Sequence, residues 1–167
     1  MLEVHELTPE RFLALKRPVP ATARFRYPDI EWPALFWIGG IDDIGQVKSI
    51  QSALAETVDG GTSQDFAQLV SDFPWGQSGK LMPGEHINMV YRTNVMHAYS
   101  VCAIANGLCD KLEEFLPGLE IMVIRDDRTS NICRKLGGFY IPRSLVLTGR
   151  FTPPFHTNCR TGVSWVS

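Results

Sequence analysis

The chain has 167 residues, of which 44% are hydrophobic and 20% are charged, a balance typical of a globular protein that buries its core without disulfides. The formal net charge of -2 excludes an overall basic field for nucleic acid, so any DNA contact has to come from a local patch. No apolar run approaches the roughly 18 residues of a membrane span, and residues 1–20 lack the apolar core of a signal peptide. We therefore expect cytosolic synthesis with the cysteines reduced.

The N-terminal stretch, residues 1–33, is rich in proline and arginine. Proline blocks helix interiors, so we predict an extended arm with at most a short helix near residues 9–16. Such an arm either docks on a neighbouring subunit or wraps its own domain. Residues 34–40 are apolar and aromatic, and this run is too short to distinguish a strand from a buried helical turn.

Helices are predicted in the middle of the chain. The first begins after Asp42-Asp43 and ends at Gly60-Gly61. The second begins with Thr62 and Asp65, a pair spaced as in a capping box. After a loop, residues 85–115 carry the strongest helical pattern of the sequence, with Gly107 as a candidate break or kink within it.

The last third of the sequence changes character, because glycine and proline break it into short pieces. Short apolar runs between the breaks predict strands at 119–125, 139–141, 144–147 and 162–166. Helices first and strands last predict the α+β class, with an N-terminal helical part followed by a small strand-rich C-terminal part. We predict a single domain at residues 34–167, preceded by the arm at 1–33.

Two polar motifs stand out in this pattern. Arg92-Thr93-Asn94, followed by Ala98-Tyr99, lies on the long predicted helix. Buried polar groups need partners, and arginine is suited to a forked contact with a carboxylate. Asp126-Asp127-Arg128-Thr129-Ser130 follows the predicted strand at 119–125 and favours a capped turn into a short helix that contains Cys133.

A third motif combines His156 and Cys159, three residues apart, with Cys133 earlier in the chain. Two thiols and an imidazole are a ligand set that suits zinc, which in structural sites takes four ligands. Ser130 is a poor zinc ligand, which leaves water, Asp127 or a partner residue for the fourth position. The alternative is a packed, hydrogen-bonded group without metal.

Taken in this order, the three motifs resemble the Mu F-like head morphogenesis domain, a minor head protein family of tailed phages. The resemblance covers about residues 34–163. It includes the Arg-Thr-Asn and Ala-Tyr pattern, the Asp-Arg-Thr turn with its cysteine and Leu-Gly-Gly close, and the block at residues 153–160. Two features depart from the family pattern. Val101-Cys102-Ala103 replaces a small-Gly-Arg pattern, and Ser130 replaces the first cysteine of a Cys-x-x-Cys pair.

The resemblance implies a structural role rather than an enzymatic one. It implies a minor head component that acts in head morphogenesis beside the portal, in the virion head and in the host cytoplasm during assembly. The implied partners are the portal or other head proteins, with DNA as a weaker contact and no membrane. DNA binding would rest on a set of arginines: Arg24, Arg26, Arg128, Arg134, Arg143, Arg150 and Arg160. The alternative is that these arginines are solvated or paired with carboxylates, the candidates being Asp126, Asp127, Glu113 and Glu114.

For this chain we expect one polar cluster that joins the helical part to the strand-rich part. Its members are Arg92, Thr93, Asn94, Tyr99, Asp127, Arg128, Thr129, His156, Asn158 and Arg160. Zinc held by Cys133, His156 and Cys159 would staple the same junction.

Two other functions compete with head assembly. Cys133, His156 and Asp127 are the residue types of a Cys/His nucleophilic site or a zinc enzyme. No His-x-Glu stands beside them as a deaminase base. The family domain ends near Ser167, so we expect no separate catalytic domain after it. The second rival is a module of phage origin in a toxin system or in a host, which gene neighbours would distinguish.

Overall fold

The computed structural model describes residues 7–27, 34–75, 79–146 and 151–167. The chain is α+β, and the predicted order of a helical part followed by a strand-rich part is confirmed. Its residues group into two compact units. Glu10–Tyr91 forms one, and Arg92–Ser167 forms the other together with the residues up to Pro9. The predicted boundary at residue 33 falls at the end of a stretch, 28–33, that lies outside the described residues.

The first unit is built mainly from helices. In chain order its elements are α1 (Pro9–Leu15), β1 (Arg17–Pro18), a 3-10 helix (Ala21–Arg26), β2 (Leu35–Phe36), α2 (Ile44–Thr57), α3 (Ser63–Val70), β3 (Pro74–Trp75) and β4 (Lys80–Leu81). β1 and β2 pair in parallel, and β3 and β4 pair antiparallel. Helix α4 (Gly84–Gly107) begins in this unit and continues into the second.

Side-chain caps explain where the helices of the first unit begin. The Asp43 carboxylate accepts from the backbone N–H of Gln46 at 2.6 Å, which caps α2. At α3 the predicted capping box is confirmed: Thr62 and Asp65 each accept from the other's backbone N–H. Apolar faces that are fully buried follow these caps, with Val47, Ile50, Leu54, Phe66 and Val70 at their centre. Each such side chain contributes about 1.5–3 kcal/mol by leaving water.

Residues 13–18 of the predicted arm pack against α2 of their own chain. The short helix expected near residues 9–16 is confirmed as α1, and its Leu13 is fully buried. Gln51 Nε2, on α2, donates to the carbonyl oxygens of Leu13 at 2.7 Å and Lys16 at 2.8 Å. Of the two alternatives for the arm, the structure shows contact with its own chain. The run at 34–40 contains strand β2, followed by a turn.

The second unit carries a three-stranded antiparallel sheet. After α4 come a 3-10 helix (Asp110–Leu112), β5 (Gly118–Met122), α5 (Asn131–Leu136), β6 (Tyr140–Pro142), α6 (Arg143–Val146) and β7 (Gly162–Val166). β5 is the central strand, and its Leu119 lies opposite Ile141 of β6 and Trp165 of β7. Buried Leu119, Ile121, Ile141 and Val146 form the core beneath it.

Several predicted boundaries in this unit need correction. The strand predicted at 162–166 is confirmed, whereas the one predicted at 119–125 ends at Met122. The prediction of a strand at 144–147 is wrong for its described residues, because Arg143–Val146 forms a helical turn. The long helix ends at Gly107 instead of continuing to residue 115.

The end of α4 is fixed by two side chains from distant parts of the sequence. Trp165 Nε1 donates to the Ala103 carbonyl at 2.8 Å, and a Cβ on Gly107 would lie 1.9 Å from that nitrogen. Arg143 donates to the carbonyls of Gly107 at 2.6 Å and Cys109 at 3.1 Å. Because the last carbonyls of a helix have no partner within it, Arg143 satisfies the Gly107 carbonyl, which would otherwise be orphaned. The glycine is required where the indole packs. Within the described part of the chain, no helix is long and apolar enough to cross a membrane.

We expect Gln51→Met to lower the free energy of unfolding by about 1–3 kcal/mol, because it keeps the side-chain length but removes the donor to two carbonyls under the N-terminal segment. The matched control is Gln68→Met on α3, where the side chain is exposed and the change stays within about 0.5 kcal/mol. Urea denaturation of both variants measures the difference. Equal stabilities for the two would contradict this role of Gln51.

Candidate metal centre

The chain brings Cys133, His156 and Cys159 together in the second unit. Cys133 lies on α5, whose first turn is capped by Ser130: its hydroxyl oxygen accepts from the Cys133 backbone N–H at 3.2 Å. His156 and Cys159 lie in the irregular stretch before β7. The three ligand atoms all lie within 4.8 Å of one another, so this group can hold a metal ion.

Two of the ligand-atom distances are near those of a tetrahedral metal site, the sulfur–sulfur distance more closely than the sulfur–nitrogen distance. Cys133 Sγ lies 3.6 Å from Cys159 Sγ and 3.0 Å from His156 Nε2. With Zn–S bonds of about 2.3 Å and Zn–N bonds of about 2.0 Å, the corresponding separations are about 3.8 Å and about 3.5 Å. Small side-chain movements therefore convert the observed arrangement into a metal-bound one. All four cysteines are free thiols.

The imidazole of His156 is oriented by its neighbour. Nδ1 lies 2.7 Å from the carbonyl oxygen of Thr157. Since a carbonyl only accepts, Nδ1 carries the hydrogen and Nε2 presents its lone pair to Cys133. A hydrogen bond from the ring nitrogen that does not bind the metal to a backbone carbonyl commonly orients a metal-binding histidine.

The thiols are enclosed by protein. Cys159 is fully buried and Cys133 is 3% exposed. Burial raises the pKa of the Cys159 thiol, but hydrogen bonds with Thr161, the Phe155 backbone and Cys133 lower it, and the net pKa lies below the ordinary cysteine value. The lowered pKa makes the thiolate of Cys159, the form that binds metals, easier to reach.

Ser130 lies beside the cluster. Its Oγ lies 2.9 Å from His156 Nε2, whereas Asp127 is exposed and is not a member of the candidate ligand group. The adjoining pocket, which Ser130 and Arg160 help to line, has a volume of about 20 Å³. That volume accommodates about one water molecule. The two thiols, the imidazole and a water or hydroxyl oxygen fit a zinc ion.

Next to the cluster, Arg160 forms a two-pronged ion pair with Asp126. Nη1 donates to Oδ2 at 2.7 Å and Nη2 to Oδ1 at 2.5 Å. The Arg160 guanidinium, with hydrogen bonds from Thr129 and the Arg128 backbone, holds the pKa of Asp126 well below its usual range. Asp127, the carboxylate named from the sequence, is the exposed neighbour and does not form this pair. The spacing of residues in the sequence did not show which of the two adjacent aspartates pairs with Arg160.

The helical motif is joined to the same C-terminal stretch through Asn158. Arg92 Nη1 donates to Asn158 Oδ1 at 3.0 Å, and the Asn158 backbone N–H donates to Thr93 Oγ1 at 2.7 Å. Arg92 thus meets an amide oxygen, and the forked arginine–carboxylate contact belongs to Arg160. Asn94 is half-buried and Tyr99 is 46% exposed.

Several of the arginines considered for DNA contact make intramolecular contacts. Besides Arg160, Arg128 lies 3.7 Å from the Asp126 carboxylate, and Arg134 donates to the Asp126 carbonyl at 3.2 Å. Arg143 binds the end of α4. Arg150 and the side chain of Arg24 lie outside the described residues.

No family model, no curated protein and no solved structure matches this chain.

The pH dependence of stability should distinguish the roles of the two adjacent aspartates. Because the pKa of Asp126 is lowered by folding, its contribution to stability is present above the unfolded value near 3.9 and is lost as pH falls below it. We expect Asp126→Asn to lower the melting temperature at pH 6–8 and this deficit to shrink below about pH 4. Asp127→Asn is the matched control, with a small effect at every pH. Thermal melts across this range give the answer, and a larger effect of Asp127→Asn would refute the assignment.

Proposed function

We propose that this chain is a minor head protein of a tailed phage or prophage and that it acts structurally in head morphogenesis beside the portal. The observation that carries the proposal is contact among the three motifs on which the resemblance rests. Arg92 and Thr93 meet Asn158, and Cys133 meets His156 and Cys159, across separations of up to 66 residues. Motifs that form one site in a family are expected to contact one another in the fold, whereas motifs that match by chance are not.

Within this proposal, zinc is the metal of the Cys133, His156 and Cys159 site. Soft thiolates and imidazole favour zinc over calcium or magnesium, and buried ligands are typical of a structural site. Bound zinc would supply a link between α5 and the stretch before β7. Ser130 and Thr157 prepare this site, since Ser130 caps the helix that carries Cys133 and the Thr157 carbonyl orients His156.

The same geometry bears on the rival enzymatic function. A separation of 3.0 Å between Cys133 Sγ and His156 Nε2 is also that of a thiol activated by a base. However, Cys133 is 3% exposed, and the pocket of about 20 Å³ accommodates a water-sized occupant rather than an organic substrate. These two observations favour a structural centre.

The proposed partners are the portal and other head proteins, and the proposed locations are the phage head and the host cytoplasm during assembly. Contact with DNA is a weaker part of the proposal, because Arg128, Arg134 and Arg160 converge on Asp126. Arginines engaged within the chain contribute less to a phosphate-binding surface than free ones.

Metal content tests the zinc site. We expect the purified, reduced protein to bind one zinc ion per chain, measured by elemental mass spectrometry after gel filtration, and zinc to raise its melting temperature relative to chelator. Cys133→Ala and Cys159→Ala should lose both effects. Cys109→Ala, a half-buried thiol outside the group, is the control and should keep them. Equal zinc binding by Cys159→Ala and the parent chain would contradict the site.

Fractionation of particles tests the head role. Proheads and mature particles from the source are separated from tails and free protein, and each fraction is analysed by quantitative peptide mass spectrometry. We expect a few copies in the head fractions, in a fixed ratio to the portal. Detection only in the free cytosolic fraction would refute residence in the particle, and the enzymatic or toxin-system alternatives would then take precedence.

A further inference from the structure

A second chemically distinctive group lies in the first unit, far in sequence from the cysteine cluster. Lys16 follows α1, and although lysine is usually a surface residue, it is only 7% exposed. Its Nζ lies 5.4 Å from the centroid of the Phe12 ring. Its carbonyl oxygen accepts from Gln51 at 2.8 Å, so the backbone that carries the side chain is anchored to α2.

Lys16 lines a pocket large enough for a small organic molecule. The pocket has a volume of about 550 Å³, within the usual range of roughly 300–1,000 Å³ for ligand sites. Its walls come from α1, from the residues after it and from α2, and they include Ala14, Pro18, Gln51, Ser52 and Ala55. This cavity is many times larger than the water-sized space beside Cys133.

The pocket also contains groups that can exchange protons with a reacting amine. The charged residues that line it are Glu10 from α1, Lys16, and Lys48 and Glu56 from α2. The three besides Lys16 are exposed, so the pocket has a solvated, charged rim around a buried amine. Carboxylates within such a site serve as general acids and bases.

Burial also favours the reactive form of the amine. Removal of the ammonium from water lowers the pKa of Lys16 from 10.5 to about 8. Near pH 8 about half of the Lys16 side chains are therefore neutral, against under about 1% for an ordinary exposed lysine. A neutral amine is a nucleophile, and desolvated lysines are the ones that proteins use for imine formation.

We propose that Lys16 is a covalent modification site that takes small carbonyl compounds, aldehydes above all, through this pocket. The amine nitrogen attacks the carbonyl carbon and forms a C–N bond, and a proton passes from nitrogen to the carbonyl oxygen to give a carbinolamine. The nitrogen then gives up its remaining proton, the hydroxyl group leaves with a proton as water, and the nitrogen electron pair forms the C=N bond of the imine. Glu10 and Glu56 line the same pocket, and their carboxylates are groups that can accept and return these protons. No oxidant or reductant is needed.

The test is competitive labelling of the intact chain. It is treated at pH 8 with limiting benzaldehyde and sodium cyanoborohydride, which reduces each imine to a stable secondary amine, and peptide mass spectrometry gives the rate at every lysine. The four exposed lysines are internal controls: Lys48, Lys80, Lys111 and Lys135. We expect Lys16 to react at least about tenfold faster than any of them, as its larger neutral fraction requires. The advantage should shrink as pH rises towards 10.

Two further measurements test whether the labelling of Lys16 depends on the folded pocket rather than on solvent exposure of the side chain. In urea the preference for Lys16 should disappear, since it depends on the folded environment. Ser52→Trp narrows the pocket from an exposed position on α2 and should slow labelling of Lys16 without changing that of Lys111 or Lys135. Labelling of Lys16 no faster than the exposed lysines, or labelling that is unchanged in Ser52→Trp, would overturn the proposal.

Discussion

The second unit depends on how residues 151–161 are attached to the rest of it. This stretch forms no helix or strand, so regular backbone hydrogen bonding does not hold it in place. Side-chain contacts do: Asn158 to the start of the unit's helix, His156 and Cys159 to Cys133, and Arg160 to Asp126. Phe155 also packs against the core beneath β5, so apolar burial and these specific contacts together order the segment.

The contacts are of different physical kinds and respond to different conditions. The Asp126–Arg160 pair is electrostatic and is only partly shielded from solvent, so salt and acid weaken it. The cysteine and histidine group is enclosed, and its ligand atoms respond to metals and oxidants instead. Asn158 accepts a hydrogen bond from the charged Arg92 guanidinium and donates a neutral one to Thr93. Its backbone has a φ of 61°, a conformation that asparagine tolerates better than most residues. This combination keeps the segment attached when any single condition changes.

Much of the helical framework was predictable because its signals are local. The Thr62 and Asp65 pair and the serine before α5 act within one turn, and their caps formed where the sequence placed them. Local signals also located β7, a short alternating run after a glycine. The helix at Arg143–Val146 was not predicted because four residues are too few to show the helical spacing of apolar side chains. Arg143, the first residue of this helix, donates to the Gly107 carbonyl at the end of α4. This contact is apparent only in the folded chain.

The site was predictable in its residue types but not in all of its pairings. Thiols and an imidazole at these spacings indicated the cluster of Cys133, His156 and Cys159, because few other arrangements satisfy those groups together. Arg160 was named, but its partner is Asp126 rather than Asp127, since the turn directs only the first of the two inward. The burial of Lys16 was not predicted from the sequence. The available signal was its position three residues after Leu13, a fully buried residue of α1.

The cluster of Cys133, His156 and Cys159 also has a consequence for how the sheet assembles. β5 ends at Met122 and β7 begins at Gly162, so the pairing of these neighbours closes a loop of roughly 40 residues. Cys133 and Cys159 lie inside that loop, each nearer to one of the two strands. Once they meet, the remaining free chain is less than half as long, and the entropy cost of pairing falls by about 1 kcal/mol. The length of chain that remains to be closed is therefore linked to the contact between two sulfur atoms.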